Sequence, residues 1–249
     1  MIELKKYELV RGDCFDVMDD IETESVDLIL CDLPYGTTAC KWDSMLNLDL
    51  LWKQYNRIVK SNGVIVLFSA QPFTTKLISS NIKNYKYSWY WMKNISTGFT
   101  FAKYQPMRKI EEINIFYKKR PLYIPQGLVK LDKPKVHKRK MPSREGIYDF
   151  NNSLCEKKYV QKYSNYPNNV LMFDKEVNCI HPTQKPIKLL EYLIKTYTKE
   201  NMVVLDNCMG SGSTGVACAN TKRKFIGIEK DKEYYRLAEI RISKSYRNK

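Results

Sequence analysis

An apolar run that ends in a carboxylate and a proline turn is the first place in this chain where chemistry is concentrated. The segment is VDLILCDLPYG, in which Asp32, Leu33, Pro34, Tyr35 and Gly36 follow directly on Cys31. Proline fixes its own φ and restricts the residue before it, so the Leu33 carbonyl is held in one direction. The Asp32 carboxylate and that carbonyl are two acceptors able to grip an exocyclic amine, while the Tyr35 ring can cover a planar base. A plain surface turn uses the same Asp, Pro and Gly, so a purely structural reading competes with this one.

A second concentration lies near the C-terminus. The segment VVLDNCMGSGSTGVACA places Asp206 at the end of a strand, with Gly210, Gly212 and Gly215 across the turn into a helix. Glycines allow left-handed angles and close approach to a ligand, and the helix N-terminus offers unpaired N–H groups. Nineteen residues after Gly210, FIGIE puts Glu229 at the end of the next strand. In a dinucleotide fold a carboxylate at that place bonds ribose hydroxyls, and any adenosine ligand presents the same diol. GSGSTG is not followed directly by Lys and then Ser or Thr, so a phosphate-binding loop is a poor fit. A nucleoside site and a ligand-free tight turn remain the two readings of this segment.

The elements that must position these turns alternate along the chain. Strands are expected at 7–11, 27–31, 63–68, 87–92, 112–118, 202–206 and 224–229, and helices at 48–59, 72–80, 186–197, 213–220 and 232–243. That rhythm predicts an α/β fold with a mostly parallel sheet, in which ligands sit beyond the carboxyl ends of the strands. Both turns can then face one cleft. The rhythm stops between about Arg120 and Ile180. From Tyr117 to Glu145 there are ten Lys or Arg against two acidic residues, with prolines at 121, 125, 134 and 142. This stretch reads as an insertion with its own surface role.

Composition bounds the remaining choices. At 249 residues and a formal charge of +15, the chain suits one domain carrying an insertion and an anionic partner, of which nucleic acid is the commonest large kind. Seven cysteines without a CxxC pair, and two histidines, make a disulfide scaffold or a metal site improbable. The apolar runs are strand-sized and the N-terminus has no apolar signal region, so no membrane span and a cytoplasmic location are expected.

DLPY followed much later by DNCMGSGSTG resembles the amino-group DNA methyltransferases, marked by Asp-Pro-Pro-Tyr and a glycine-rich motif. The catalytic turn precedes the donor turn, as in the permuted beta class of that family. HPTQKP at His181 to Pro186, FSAQPF at Phe68 to Phe73, GDCFDVM at Gly12 to Met18, Lys93 and MRKIEEINIFYK are similar to further family segments. Leu33 stands where the family has its first proline, and Asn207 and Cys208 replace a frequent Pro-Phe pair.

The resemblance implies a Rossmann-like methyltransferase fold with a seven-stranded, mostly parallel sheet and circularly permuted motif order. Residues 1–119 would be the catalytic half, 120–180 a basic DNA target-recognition insertion, and 181–249 the donor-binding half. It implies S-adenosylmethionine as donor, no metal, and double-stranded DNA with a flipped target base. The leading Asp32 favours adenine N6 over cytosine N4. Asp32, Leu33, Pro34 and Tyr35 would hold the base, and Asp13, Thr183, Lys185, Asp206, Gly210, Gly212 and Glu229 the donor, with Thr183 and Lys185 toward its carboxylate. Lys119, Arg120, Lys138, Arg139, Lys140 and Arg144 are expected on DNA phosphates or base edges. His137 is expected at the surface and His181 in the loop beside the donor. Dimerisation is common in the family, and a restriction partner would make this one half of a bacterial or phage restriction-modification pair. The other readings are a cytosine-N4 DNA enzyme, an RNA or protein-glutamine methyltransferase, and a non-catalytic nucleic-acid-binding protein.

Overall fold

The computed structural model describes residues 6–36, 45–138, 158–175 and 184–247. In chain order the elements are β1 (Tyr7–Arg11), α1 (Cys14–Asp19), β2 (Val26–Asp32), α2 (Leu48–Ile58), β3 (Val59–Ser69), α3 (Phe73–Ser80), β4 (Tyr85–Thr97) and β5 (Arg108–Phe116). They continue with β6 (Val129–Lys138), β7 (Lys158–Ser164), β8 (Val170–Met172), α4 (Ile187–Tyr197), β9 (Val203–Asp206), α5 (Ser213–Asn220), β10 (Lys224–Glu229) and α6 (Lys232–Arg247). The chain forms two compact units, residues 1–124 with 169–249, and residues 125–168.

The larger unit holds one sheet in the order β1-β10-β9-β2-β3-β5-β4-β8. β5 pairs antiparallel with both β3 and β4, and the other pairings are parallel. The sheet is mostly parallel, as expected, but among the described residues it has eight strands rather than seven. The extra strand, β8, is three residues with only Leu171 buried, too short to show an alternation in the sequence.

Strand alternation sorts the core into two layers. Leu28 and Leu30 of β2 pack with α4, α5 and α6 residues such as Leu193, Ala217 and Ile242. Ile29, Cys31 and Leu33 face the opposite way, onto Met18, Leu51, Tyr55 and Leu77 from α1, α2 and α3. In α2, Leu48, Leu51, Trp52, Tyr55 and Ile58 form the buried stripe that the 3.6-residue period requires. Each such side chain contributes about 1.5–3 kcal/mol by leaving water. The helix starts where the Asn47 side chain accepts from the Asp49 and Leu50 amides at 3.0 and 3.2 Å, a cap worth about 1 kcal/mol. It ends at Ile58, because Val59 is already extended and pairs with Val26.

The smaller unit is a two-stranded antiparallel ribbon of β6 and β7. It is shorter than the 120–180 stretch singled out by composition. Residues on either side belong to the core unit: the Ile124 amide donates to the Thr196 carbonyl at 2.8 Å, Tyr123 packs against Tyr197, and β8 joins the main sheet. Among the described residues no helix is long and apolar enough to cross a membrane.

Candidate active site

Parallel pairing brings the carboxyl ends of β1, β10, β9 and β2 to one edge. Arg11 is in register with Glu229, Gly227 with Asp206, and Ile29 with Leu205. Asp13, Glu229, Asp206 and Asp32, from four separate parts of the sequence, therefore line one cavity of about 810 Å³ together with Leu33, Pro34, Tyr35, Lys185 and Gly210.

At one end lies the proline turn. The Tyr35 hydroxyl donates to Asp32 Oδ1 at 2.8 Å, and its ring stacks on Phe73 with centroids 5.2 Å apart. Lys185 Nζ donates to Asp32 Oδ2 at 2.5 Å and also pairs with Glu111 Oε2 at 3.4 Å. Glu111 Oε1 in turn accepts from Lys93 Nζ at 3.0 Å. Lys185 is almost enclosed and also stands over the Phe68 ring, 5.1 Å from its centroid. The result is a continuous line of charge, Lys93, Glu111, Lys185, Asp32, ending on the Tyr35 hydroxyl.

Burial and pairing pull these groups in opposite directions. Burial pushes the Asp32 carboxyl above its ordinary value, against the pull of Lys185. For Glu111 the burial penalty is outweighed by Lys185 and Lys93, which hold it below the usual range. Burial opposes charge on Lys185 too, but Asp32 and Glu111 overcome it and raise its affinity for the proton. Two cations thus face two carboxylates in a place mostly closed to water.

At the other end lies the glycine turn. Gly210 has φ +52°, and no heavy atom lies within 4 Å of where a Cβ would stand, so the backbone there is open to a ligand. Gly212 differs. At φ +82° it starts α5, and a Cβ would come within 2.9 Å of Ala238 and Ile242 side-chain atoms, so it serves the packing of the turn against α6 rather than the cavity wall. Glu229 accepts the Gly210 amide at Oε2 and the Asp231 amide at Oε1, both at 2.8 Å. Each carboxylate oxygen keeps a second lone pair for another donor. Burial raises the Glu229 carboxyl and lifts Asp206 to about 6. Asp206 Oδ1 also accepts the Cys208 amide at 3.1 Å. Asp13 caps α1 through the Phe15 amide at 3.0 Å and meets Lys230 at 3.1 Å, which together hold its carboxyl low. Asn207 accepts the Tyr55 hydroxyl at 2.5 Å, and both Asn207 and Cys208 line the cavity.

Lys185 lies against Asp32. Thr183, His181, Arg139, Lys140 and Arg144 lie outside the described residues. Lys119 and Arg120 are exposed just after β5, and Lys138 ends β6 in register with Lys158. His137 stacks on Tyr159 and meets Gln161 at 2.9 Å. Residue chemistry alone does not single out Glu111. The signal available is one charged residue at an inward position of a strand that continues into INIF. Among the described residues no group of three or more His, Cys, Asp or Glu could hold a metal.

A family model described as DNA methylase, N6_N4_Mtase, matches residues 26–240. Type II methyltransferase M1.MboII of Moraxella bovis is 26% identical over 259 residues, covering 96% of this chain and 97% of that protein. The DNA adenine methyltransferase YhdJ of Escherichia coli K12 is 27% identical over 250 residues, covering 94% and 82%. Type II methyltransferase M2.LlaDCHI of Lactococcus lactis subsp. cremoris is 52% identical over 64 residues, which span 26% of this chain and only 24% of that protein. Among solved structures, an M1.HpyAVI–SAM complex matches with a TM-score of 0.65 at 24% identity, covering 95% of this chain and 98% of that one. The cytosine-N4-specific PvuII DNA methyltransferase matches with a TM-score of 0.66 at 16% identity, covering 99% and 95%. With 215 consecutive residues matched and a fold shared end to end, the chain belongs to the DNA methylase family N6_N4_Mtase.

Proposed function

We propose that the protein is a DNA methyltransferase of the permuted beta class that moves a methyl group from S-adenosylmethionine to adenine N6 in double-stranded DNA. The observation that carries this reading is the sharing of one cavity by the Asp32–Tyr35 turn and the open Gly210 backbone with Glu229. The cavity suits an adenosyl ligand: Glu229 keeps lone pairs for a ribose diol, with Asp206, Asp13 and Gly210 lining the same cavity. Thr183, next to Gln184 in the sequence, would act on the same ligand. S-adenosylmethionine supplies an electrophilic methyl group, so no covalent enzyme intermediate and no metal ligand set are called for.

The chain's own residues do the rest. Asp32 and the Leu33 carbonyl accept the two N–H groups of the target amine and stabilise positive charge as it develops on nitrogen. The Tyr35 hydroxyl donates to Asp32 Oδ1 and fixes its orientation. Lys185 keeps Asp32 ionised in a site where burial favours the neutral acid. Pro34 holds the turn, and Tyr35 supplies a ring beside the base. Asp at the head of the motif favours adenine over cytosine, and YhdJ is an adenine enzyme by name. The PvuII likeness favours cytosine N4 as the second reading.

DNA would be held by the exposed Lys119 and Arg120, by the β6–β7 ribbon with Lys138, and by Arg139, Lys140 and Arg144. A two-stranded ribbon fits a major groove, and lysines on phosphates position the duplex without reading sequence. Digestion of DNA methylated with labelled donor should release N6-methyladenine; N4-methylcytosine alone would select the second reading. Sedimentation of the free protein tests the homodimer common in the family.

A further inference from the structure

The hairpin joining β4 to β5 carries rings that the fold leaves in water. Phe99, Phe101 and Tyr104 are 81%, 57% and 85% exposed. Clustered exposed apolar groups of this kind mark interaction surfaces rather than accidents of composition. The backbone that presents them is built. Gly98 turns at φ +93°, a left-handed angle that a side chain disfavours, and starts a 3-10 turn over Phe99–Phe101. The Phe101 amide donates to the Gly98 carbonyl at 3.0 Å, and the Tyr104 and Gln105 amides donate to the Phe101 carbonyl at 2.8 and 3.0 Å. The tip is thus ordered by its own hydrogen bonds, with the rings pointed away from the core.

Its place and charge indicate what covers it. β4 supplies Trp91, Lys93 and Thr97 to the cavity wall, so the tip begins one residue beyond that wall. From Asn94 to Ile110 the chain has Lys103, Arg108 and Lys109 and no acidic residue. A second copy of a chain with formal charge +15 would bring like charge to this face. Duplex DNA matches both features, with phosphates for the cations and stacked bases for the rings.

We propose that the tip at residues 98–107 is an aromatic wedge that stacks into duplex DNA beside the cavity and holds open the position from which the target base is withdrawn. This rests on the DNA-methyltransferase reading above. Withdrawing a base breaks its stacking, and an inserted apolar side chain that replaces those contacts lowers the cost of extraction.

The test is the double variant Phe99→Ala/Tyr104→Ala. Both side chains are exposed, so the variant should melt and bind S-adenosylmethionine as the wild type does. The target site is first mapped by sequencing modified bases in DNA methylated by the wild type. Single-turnover methylation is then measured on the matched duplex and on the same duplex with the target base mispaired, which is already loosened. The expected result is a loss of about tenfold or more on the matched duplex and about threefold or less on the mispaired one. Equal loss on both duplexes, or no loss on either, overturns the wedge. A change in self-association without an effect on DNA would assign the face to a second copy and also overturns it. A wild type that transfers no methyl group to any DNA defeats the parent reading instead, and the two failures are distinct.

Discussion

Replacing Lys185 with Met removes the one cation among the described residues that touches both Asp32, at 2.5 Å, and Glu111, at 3.4 Å. Lys93 remains, but of these two carboxylates it pairs with Glu111 alone. The local charge changes from two cations against two carboxylates to one against two. Breaking a buried pair by removing one partner costs about 3–5 kcal/mol. Asp32 keeps 26% of its side chain open to the cavity, so its carboxylate retains some water and the lower end applies. For a chain of this size, about 3 kcal/mol lowers Tm by roughly 6–12 °C.

The effect on catalysis has a definite sign. Burial already raises the proton affinity of Asp32, and Lys185 is the main opposing influence. Without it Asp32 takes up a proton at higher pH, and a step that needs the carboxylate is lost as pH falls through that higher value. The acid limb of kcat/KM should therefore move to higher pH in Lys185→Met, with the largest deficit at low pH and partial recovery on the alkaline side. Lys185→Arg, which keeps the charge, should return much of the limb toward the wild type. The assay is methyl transfer from labelled donor across a pH series, with donor affinity measured separately by calorimetry. An unshifted acid limb together with weakened donor binding would refute this reasoning and place Lys185 on the donor carboxylate instead.

Asp206 should make stability depend on pH. Its carboxyl is raised by burial to about 6, above its unfolded value, so the native state binds the extra proton and is favoured at low pH. This contribution declines as pH rises from about 4 to about 6, by up to about 3 kcal/mol, and Asp206→Asn should flatten that slope in denaturant titrations. Asn114 is fully buried, accepts from Ser88 Oγ and donates to Ser69 Oγ, both at 2.7 Å, so Asn114→Ala should destabilise the protein by about 1–3 kcal/mol through two lost buried hydrogen bonds, although Ser69 Oγ keeps Thr74 Oγ1 and Ser88 Oγ keeps the Tyr85 hydroxyl. Normal stability in that variant would mean that the network is not formed. Charge removal at Lys119 and Arg120 should weaken DNA binding about equally for all sequences. The salt slope should fall by about one for each phosphate no longer neutralised, measured by anisotropy at several salt concentrations.

What is legible in the sequence follows from where the physics is local. The strand–glycine turn–helix at 203–220 and the strand at 224–229 match their expected bounds because apolar runs and glycine punctuation coincide there. The ribbon is not legible: β6 and β7 are rich in lysine, β6 contains Pro134, and neither has the apolar alternation of a half-buried strand. Helix α1 is six residues long, too short for a period, and depends on the Asp13 cap. The Asp32–Lys185 pair joins residues 153 positions apart, and only the meeting of β2 with the segment before α4 brings them together. Sequence chemistry can name both residues and still assign Lys185 a different neighbour. For the same reason it groups Gly212 with the ligand-facing glycines, although the close neighbour of Gly212 is α6.

The most direct measurement compares wild type and Asp32→Ala for methyl transfer from labelled S-adenosylmethionine to DNA, with the modified nucleoside identified by mass spectrometry. The expected result is N6-methyladenine from the wild type, none above background from Asp32→Ala, and DNA and donor affinities that differ little between the two. Undiminished transfer by Asp32→Ala would contradict the assignment of this site as the place where the amine is held.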